Sequence, residues 1–149
     1  MERATRNSER GLTIFELMIV MMVIAIIASI SIATLAAALD RSKQRATMAD
    51  MRVISRAIEA YLVDNSRIPD SRGGLEAVEA LVVPAMVNVL PLKDHWGNAI
   101  DYVADGGTNY TLISFGKDGV RGEDYSREES RNYDGDLVMR NGTFVAAPQ

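Results

Sequence analysis

Hydrophobic and polar residues divide the N-terminal part of the chain into two blocks. Residues 1–11 are polar and include three arginines, whereas residues 12–39 are apolar apart from a few hydroxyl side chains and one charge, Glu16. From Leu17 the chain runs 23 residues without a charge. At a rise of about 1.5 Å per residue, that length crosses a hydrocarbon layer of about 30 Å. The pattern predicts a helix of membrane length.

Three structures compete for this apolar stretch. A secretory signal peptide has an apolar region of about 7–15 residues, which is shorter, although Ala36–Ala38 resembles a small-residue cleavage site. A buried core helix fits poorly because the rest of the chain is too small to enclose it. A single-pass membrane anchor fits the length best, and the signal peptide is second.

Beyond residue 39 the pattern becomes that of an amphipathic helix. Residues 40–66 carry apolar positions at spacings of three and four with charged residues between them, namely Met51, Ile54, Ile58 and Tyr61. Pro69 disfavours helical conformation in the residue before it, so the helix is expected to end near residue 65.

The C-terminal half reads as two hairpins. The predicted strands are residues 100–103, 110–115, 137–140 and 143–146, and the last two flank Asn141-Gly142, a strong hairpin signal. The predicted fold class is therefore α+β. A long N-terminal helix, with a membrane-spanning half and an amphipathic half, packs on the small antiparallel β-sheet of a head.

Composition excludes several kinds of chemistry. The chain of 149 residues has no cysteine and a single histidine, so disulfides, thiolate metal sites and cysteine nucleophiles are ruled out. Sixteen basic against twenty acidic side chains give a net charge of −4, the wrong sign for a protein that binds nucleic acid. Residues 69–149 alone carry −6, whereas residues 40–68 carry +2. Because basic residues flank the apolar stretch on both sides, charge does not fix its orientation.

Glu16 is the most informative residue of the apolar segment. An acidic side chain in such a segment normally pairs with a positive charge, or lies at the interface with its carboxylate in water. Residues 10–20 read RGLTIFELMIV, with a basic residue, a glycine, and a glutamate at the fifth place after that glycine. This segment resembles the class III signal of type IV pilins and pseudopilins.

The resemblance implies a processing reaction and an assembly role. A prepilin peptidase would cut between Gly11 and Leu12 and methylate the new amine of Leu12. The implied parts are a cytoplasmic leader (residues 1–11), a transmembrane and assembly helix (residues 12–39) and a periplasmic head (residues 40–149). Opposite charges compensate each other in a low dielectric. Glu16 is therefore expected to pair with the terminal ammonium of an adjacent subunit and to set the stagger between subunits.

The head resembles the G-type, or major, pseudopilins of type II secretion systems. The similarity covers residues 10–119 and includes residues 91–98, which read PLKDHWGN. His95 stands where that family usually has proline, and without a second imidazole or a cysteine it is not a credible metal ligand. We interpret residues 96–98 as a tight turn with a packed indole ahead of a strand.

The acidic loop between the two hairpins, residues 118–136, is the one candidate ion site. Calcium takes about six to eight oxygen ligands, but composition alone favours a solvated loop because no EF-hand pattern is present. G-type pseudopilins bind calcium in this loop. The resemblance implies Asp118 and Asp136 as carboxylate ligands, and Phe115 as the donor of a backbone carbonyl. Asp134 lies in the later acidic element, and Asp124 is an alternative to Asp136.

The resemblance predicts a structural subunit that polymerises with copies of itself into a pseudopilus, which drives export of folded proteins across the outer membrane. The expected partners are the prepilin peptidase, the inner-membrane assembly platform, the minor pseudopilins and the membrane itself. The expected location is the bacterial inner membrane, crossed once, with the head in the periplasm. The alternatives are a type IV pilin of a surface fibre and, behind it, a membrane-anchored binding module. Enzymatic activity is not expected, because the acidic loop has no accompanying nucleophile, imidazole or pocket motif.

Overall fold

The computed structural model describes residues 11–122 and 133–147. The chain divides into two units, Met1–Ala38 and Leu39–Gln149. In chain order the elements are α1 (Ile14–Asn65), α2 (Gly74–Val82), β1 (Asp101–Ala104), β2 (Tyr110–Ser114), β3 (Leu137–Arg140) and β4 (Thr143–Ala146). The predicted α+β class is confirmed.

Local sequence explains where α1 begins and ends. At the start, the hydroxyl oxygen of Thr13 accepts a hydrogen bond from the backbone N–H of Glu16 at 3.2 Å, which satisfies one of the free N–H groups of the first turn. At the other end Ser66 adopts a φ of 56°, and the side-chain amide of Asn65 donates to the carbonyl of Tyr61 at 3.0 Å. The predicted end near residue 65 is confirmed.

The first unit has no core among its described residues. Its large apolar side chains, together with Leu39, are between 46% and 81% exposed. This part of α1 is long and apolar enough to cross a membrane, although a signal sequence would pass the same test. Exposed apolar surface of this extent requires a partner, either lipid or protein.

The second unit packs the amphipathic part of α1 against the sheet. Met51, Ile54 and Ile58 on α1 are fully buried, and so are Leu112 and Met139 on the sheet. Full burial of one such side chain stabilises the fold by about 1.5–3 kcal/mol. The predicted apolar stripe of the helix therefore forms the core of the head.

The sheet contains four antiparallel strands in the order β1-β2-β3-β4. Both predicted hairpins are present, and β2 pairs with β3 to join them, with Leu112 opposite Met139. The second hairpin turns at Asn141 and Gly142, whose φ angles are 47° and 77°. Two successive positive φ angles match the hairpin turn that this dipeptide favours.

Sequence analysis missed α2. Its buried residues Leu75, Val78 and Val82 lie three and four positions apart, a helical spacing that was present in the sequence. The N–H groups at its start receive no side-chain cap, so the usual signal for a helix start is absent. A nine-residue helix without a cap depends on this buried face for its stability.

A polar cluster joins α1 to the sheet. The hydroxyl groups of Ser55 and Tyr110 lie 2.7 Å apart. A carboxylate oxygen of Glu59 lies 3.0 Å from the Ser55 hydroxyl and 3.2 Å from the Tyr110 hydroxyl, so the two hydroxyl hydrogens are shared among these three contacts. Gly142 packs against this cluster so closely that a Cβ on it would lie 2.6 Å from the Glu59 carboxylate. The positive φ of Gly142 favours glycine at this turn, and a Cβ there would also displace the carboxylate of Glu59.

Candidate functional site

The predicted processing site lies directly before α1. Gly11 has no heavy atom within 4 Å of the place where a Cβ would stand, and Leu12 is 76% exposed. The peptide bond between them is thus on open, non-helical chain. An enzyme needs such an accessible segment in order to cut.

Glu16 has a local partner that sequence analysis overlooked. Thr13 precedes the first helical residue and Glu16 is the third, which is the spacing of a capping box. A carboxylate in the first turn also interacts favourably with the positive end of the helix dipole. The pattern Thr-x-x-Glu was visible in the sequence. The recorded hydrogen bond uses the backbone N–H of Glu16, so a capping role of its carboxylate is a hypothesis to be tested separately from the role of its charge.

Asp94 organises the tight turn predicted at residues 96–98. Its carboxylate is 5% exposed, and Oδ1 accepts the backbone N–H groups of Trp96 at 3.0 Å and Asn98 at 2.8 Å. Oδ2 accepts the hydroxyl hydrogen of Ser114 at 2.9 Å. Gly97 has a φ of 99°, so the turn needs glycine there. The prediction of a turn ahead of a strand is confirmed.

His95 connects this turn to α1. Its backbone N–H donates to the hydroxyl of Thr47 at 3.1 Å, and its Nε2 lies 3.0 Å from the carboxylate of Asp50. Where the family usually has proline, this chain therefore has an imidazole that contacts α1.

The described part of the acidic loop begins against the same turn. The side-chain amide of Asn98 donates to the carbonyl of Gly116 at 2.7 Å, and a Cβ on Gly119 would lie 2.9 Å from the side-chain oxygen of Asn98. Both glycines have positive φ, 63° and 67°. Between them Lys117 donates to the carboxylate of Asp40 on α1 at 2.8 Å, and this hydrogen bond holds the pKa of Asp40 below its usual range.

Two of the predicted ligands, Asp118 and Asp136, influence each other electrostatically. Burial raises the pKa of Asp136, and the negative charge of Asp118 raises it further, against the lowering effects of the Gly122 N–H and of Arg121. Asp136 accepts the N–H of Gly122 at 3.0 Å, and Asp118 accepts the N–H of Val120 at 3.0 Å. The negative charges of these two carboxylates therefore repel each other.

Backbone carbonyls supply further oxygen atoms nearby. The carbonyl oxygens of Tyr133, Asp134 and Gly135 all lie 2.8–2.9 Å from the place where a Cβ on Gly116 would stand. Phe115, whose carbonyl is a predicted ligand, is partly buried and directly precedes Gly116. Asp124 lies outside the described residues. Within the described ranges no group of three or more acidic or imidazole side chains converges in a way that could hold a metal ion.

Two family models together match residues 6–132 of the chain. A family model for the prokaryotic N-terminal methylation motif matches residues 6–38, and a model for type II secretion system, protein G, matches residues 34–132. The chain is 32% identical over 130 residues to the type II secretion system core protein G of Klebsiella michiganensis, which covers 80% of this chain and 91% of that protein.

Two further relatives have the same name. The core protein G of Pseudomonas aeruginosa is 30% identical over 142 residues, 87% of this chain and 98% of that protein. The core protein G of Escherichia coli K12 is 31% identical over 131 residues, 80% of this chain and 89% of that protein.

Three features define a type IV pilin-like protein: the methylation motif, the exposed apolar part of α1, and a head in which the rest of α1 packs on an antiparallel sheet. Within that class, the match over most of the head is specific. The chain belongs to the type II secretion system protein G family.

Proposed function

We propose that this chain is the structural subunit of a type II secretion pseudopilus, and that it polymerises through its N-terminal helix to drive export of folded proteins across the outer membrane. One observation carries the proposal. The apolar residues of 12–39 have no core of their own among the described residues, and they precede a folded head on the same helix. Membrane lipid before assembly, and copies of the chain after it, would cover this surface.

Family membership favours this function over the alternatives. The relatives compared above are type II secretion proteins, which favours a pseudopilus subunit over the pilin of a surface fibre. The same membership supports a prepilin peptidase, the inner-membrane assembly platform and the minor pseudopilins as partners. The chain would lie in the bacterial inner membrane, crossing it once, with its head in the periplasm.

Cleavage between Gly11 and Leu12, with methylation of the new amine, would produce the N-terminus that takes part in assembly. The new ammonium and the carboxylate of Glu16 are each unfavourable alone in lipid, and together they compensate each other between neighbouring subunits. Removal of one partner of a buried ion pair costs about 3–5 kcal/mol. At each subunit contact that loss is enough to prevent assembly.

Two substitutions at Glu16 separate charge from capping. Glu16→Gln keeps a side chain that can complete a capping box but removes the charge, whereas Glu16→Ala removes both. We expect both variants to be cleaved after Gly11 and neither to form filaments, as measured by mass spectrometry of the N-terminus and by recovery of sheared filaments. Normal filaments from Glu16→Gln would show that the charge is dispensable. Wild-type protein from cells that still carried residues 1–11 would refute the proposed function itself.

We also propose that the acidic loop binds calcium. Asp118 and Asp136 would hold it with carbonyl oxygens of the loop, and calcium would supply the positive charge that two neighbouring carboxylates lack. A ligand at 100 times its dissociation constant stabilises the folded state by about 2.7 kcal/mol. Calcium is therefore expected to raise the Tm of the purified chain.

The chain offers a matched control for this test. Asp118 and Asp105 each accept the N–H of the residue two positions later, at 3.0 and 3.2 Å, but only Asp118 lies in the acidic loop. Calcium should raise the Tm of wild type and of Asp105→Asn relative to chelator, and should have little effect on Asp118→Asn. Equal Tm shifts in all three proteins would show that calcium binds elsewhere. No Tm shift in wild type would refute the proposed calcium site.

A further inference from the structure

Four arginines form a stripe along α1. Their spacings of four, seven and four residues bring them within about 60° of one another around the helix axis, over a length of about 22 Å. The members of this arginine stripe are Arg41, Arg45, Arg52 and Arg56, and all four are exposed. The face of α1 that packs on the sheet carries different residues, such as Gln44, Met51 and Ile58. The stripe is thus a separate surface of the helix.

The stripe has no acidic partner within the head as described. In residues 11–122 and 133–147 none of its four guanidinium groups forms a hydrogen bond or ion pair, and the one contact is that of Arg52, 5.3 Å from the centre of the Phe144 ring. Arginines four positions apart on a helix repel each other. Within the described residues, the four like charges of the stripe therefore have no ion-pair partner.

We infer that the arginine stripe binds the acidic head surface of a second copy of this chain, an inference that rests on the proposed function. Residues 69–149 carry a net charge of −6. Their exposed carboxylates include those of Asp70, Glu76, Asp105, Asp118 and Asp134, so every copy supplies both a basic stripe and an acidic head surface. Such a contact joins two different patches on identical subunits, and contacts of this kind extend into open helical filaments. The stripe follows the apolar segment on the same helix, so the packing of helices between copies brings it against a neighbour.

Length argues against a lipid surface as the partner. The headgroup region on one side of a bilayer is about 5–8 Å thick, whereas the stripe extends about 22 Å along α1. If α1 leaves the bilayer along its normal, anionic headgroups would reach only Arg41 and Arg45. The pair Arg52 and Arg56 lies a further two to three turns away, where a protein surface is the available source of carboxylates.

The test compares two pairs of substitutions that remove the same charge. Arg52→Gln/Arg56→Gln neutralises the distal half of the stripe, and Arg67→Gln/Lys93→Gln neutralises two exposed basic residues outside it. Each full-length variant is expressed with the secretion machinery, and its N-terminal mass, Tm and yield of sheared filaments are measured. Filament yield is also measured against salt, because contacts between exposed charges weaken with ionic strength.

We expect the stripe variant to be processed normally, to yield at least tenfold fewer filaments than wild type, and to lose the salt dependence. The control pair should remain within twofold of wild type. If the stripe variant has a lowered Tm, Arg41→Gln/Arg45→Gln replaces it, since neither residue contacts Phe144. Equal filament yields from stripe and control variants would overturn the inference and leave the proposed function intact. Loss of retention on phosphatidylglycerol vesicles, with unchanged assembly, would also overturn it. Failure of wild type to be processed or to assemble would overturn the proposed function, and the stripe contact with it.

Discussion

Replacement of Asp94 by alanine tests how the head holds its central turn. The carboxylate accepts two backbone N–H groups and the Ser114 hydroxyl, and hydrogen bonds to a charged group contribute about 1.5–3 kcal/mol each. Trp96 and Asn98 are only half-buried, so their N–H groups regain some hydration in the variant. We therefore expect a loss of about 3–5 kcal/mol in the free energy of unfolding.

The assay is equilibrium unfolding of the full chain in detergent with urea. The single tryptophan of the chain lies two residues from Asp94, so its fluorescence reports on the turn. Asp94→Asn is the matched control, because its amide oxygen can still accept both backbone N–H groups and the Ser114 hydroxyl can rotate to accept from its NH₂ group. Ser114→Ala should lose about 1–2 kcal/mol, one bond of the three. A loss below about 1 kcal/mol for Asp94→Ala would refute the assignment of Asp94 as the organising group.

Two further predictions concern the loops and the sheet. Gly116→Ala should destabilise the head by about 2–5 kcal/mol, from its positive φ and from three carbonyl oxygens within 2.9 Å of the new Cβ. Gly106→Ala, with positive φ but open space, should lose only about 1–2 kcal/mol in the same urea titration, and equal losses would contradict the contact. Burial raises the pKa of Tyr102 and of Tyr110 to about 12. Because the neutral form is favoured in the fold, the contribution of these two phenols to stability should be constant below pH 10 and should be lost from pH 10 to about 12. Absorbance at 295 nm should show two late-ionising phenols, and each tyrosine-to-phenylalanine variant should remove one.

Hydrophobic periodicity was sufficient to predict most of the fold. The sequence changes from an all-apolar stretch to apolar residues spaced by three and four positions, and this change predicted both parts of α1. The dipeptide Asn141-Gly142 predicted the second hairpin with its observed bounds. The pairing of β2 with β3 has no local signal, because the two strands are brought together by the core that they share. Long-range pairing of this kind is decided by tertiary packing.

Sequence reasoning named residues of the candidate sites but not their surroundings. The resemblance of the leader motif assigns Gly11, Leu12 and Glu16, which all lie within one short segment, and these assignments remain predictions. The role of Asp94 could not be read in the same way, because its partner Ser114 is twenty positions away and only the folded sheet brings them together. For the acidic loop, charge and glycine content identified the segment, whereas the electrostatic effect of Asp118 on Asp136 is a result of the structure.

Three polar contacts fix the position of α1 on the head. The contacts lie seven and eight residues apart along α1. Lys117 donates a hydrogen bond to Asp40, and the backbone N–H of His95 donates to the Thr47 hydroxyl. The hydroxyl groups of Ser55 and Tyr110 form the third contact, so three different segments of the head contact the helix. Apolar burial between these points is strong but non-directional, so on its own it tolerates small shifts of the helix along its axis. Hydrogen bonds of 2.7–3.1 Å do not tolerate such shifts, because their strength falls steeply with distance and angle. A filament repeats any error in subunit geometry at every step, and for a subunit of this proposed function a fixed register between helix and head is a requirement of regular assembly.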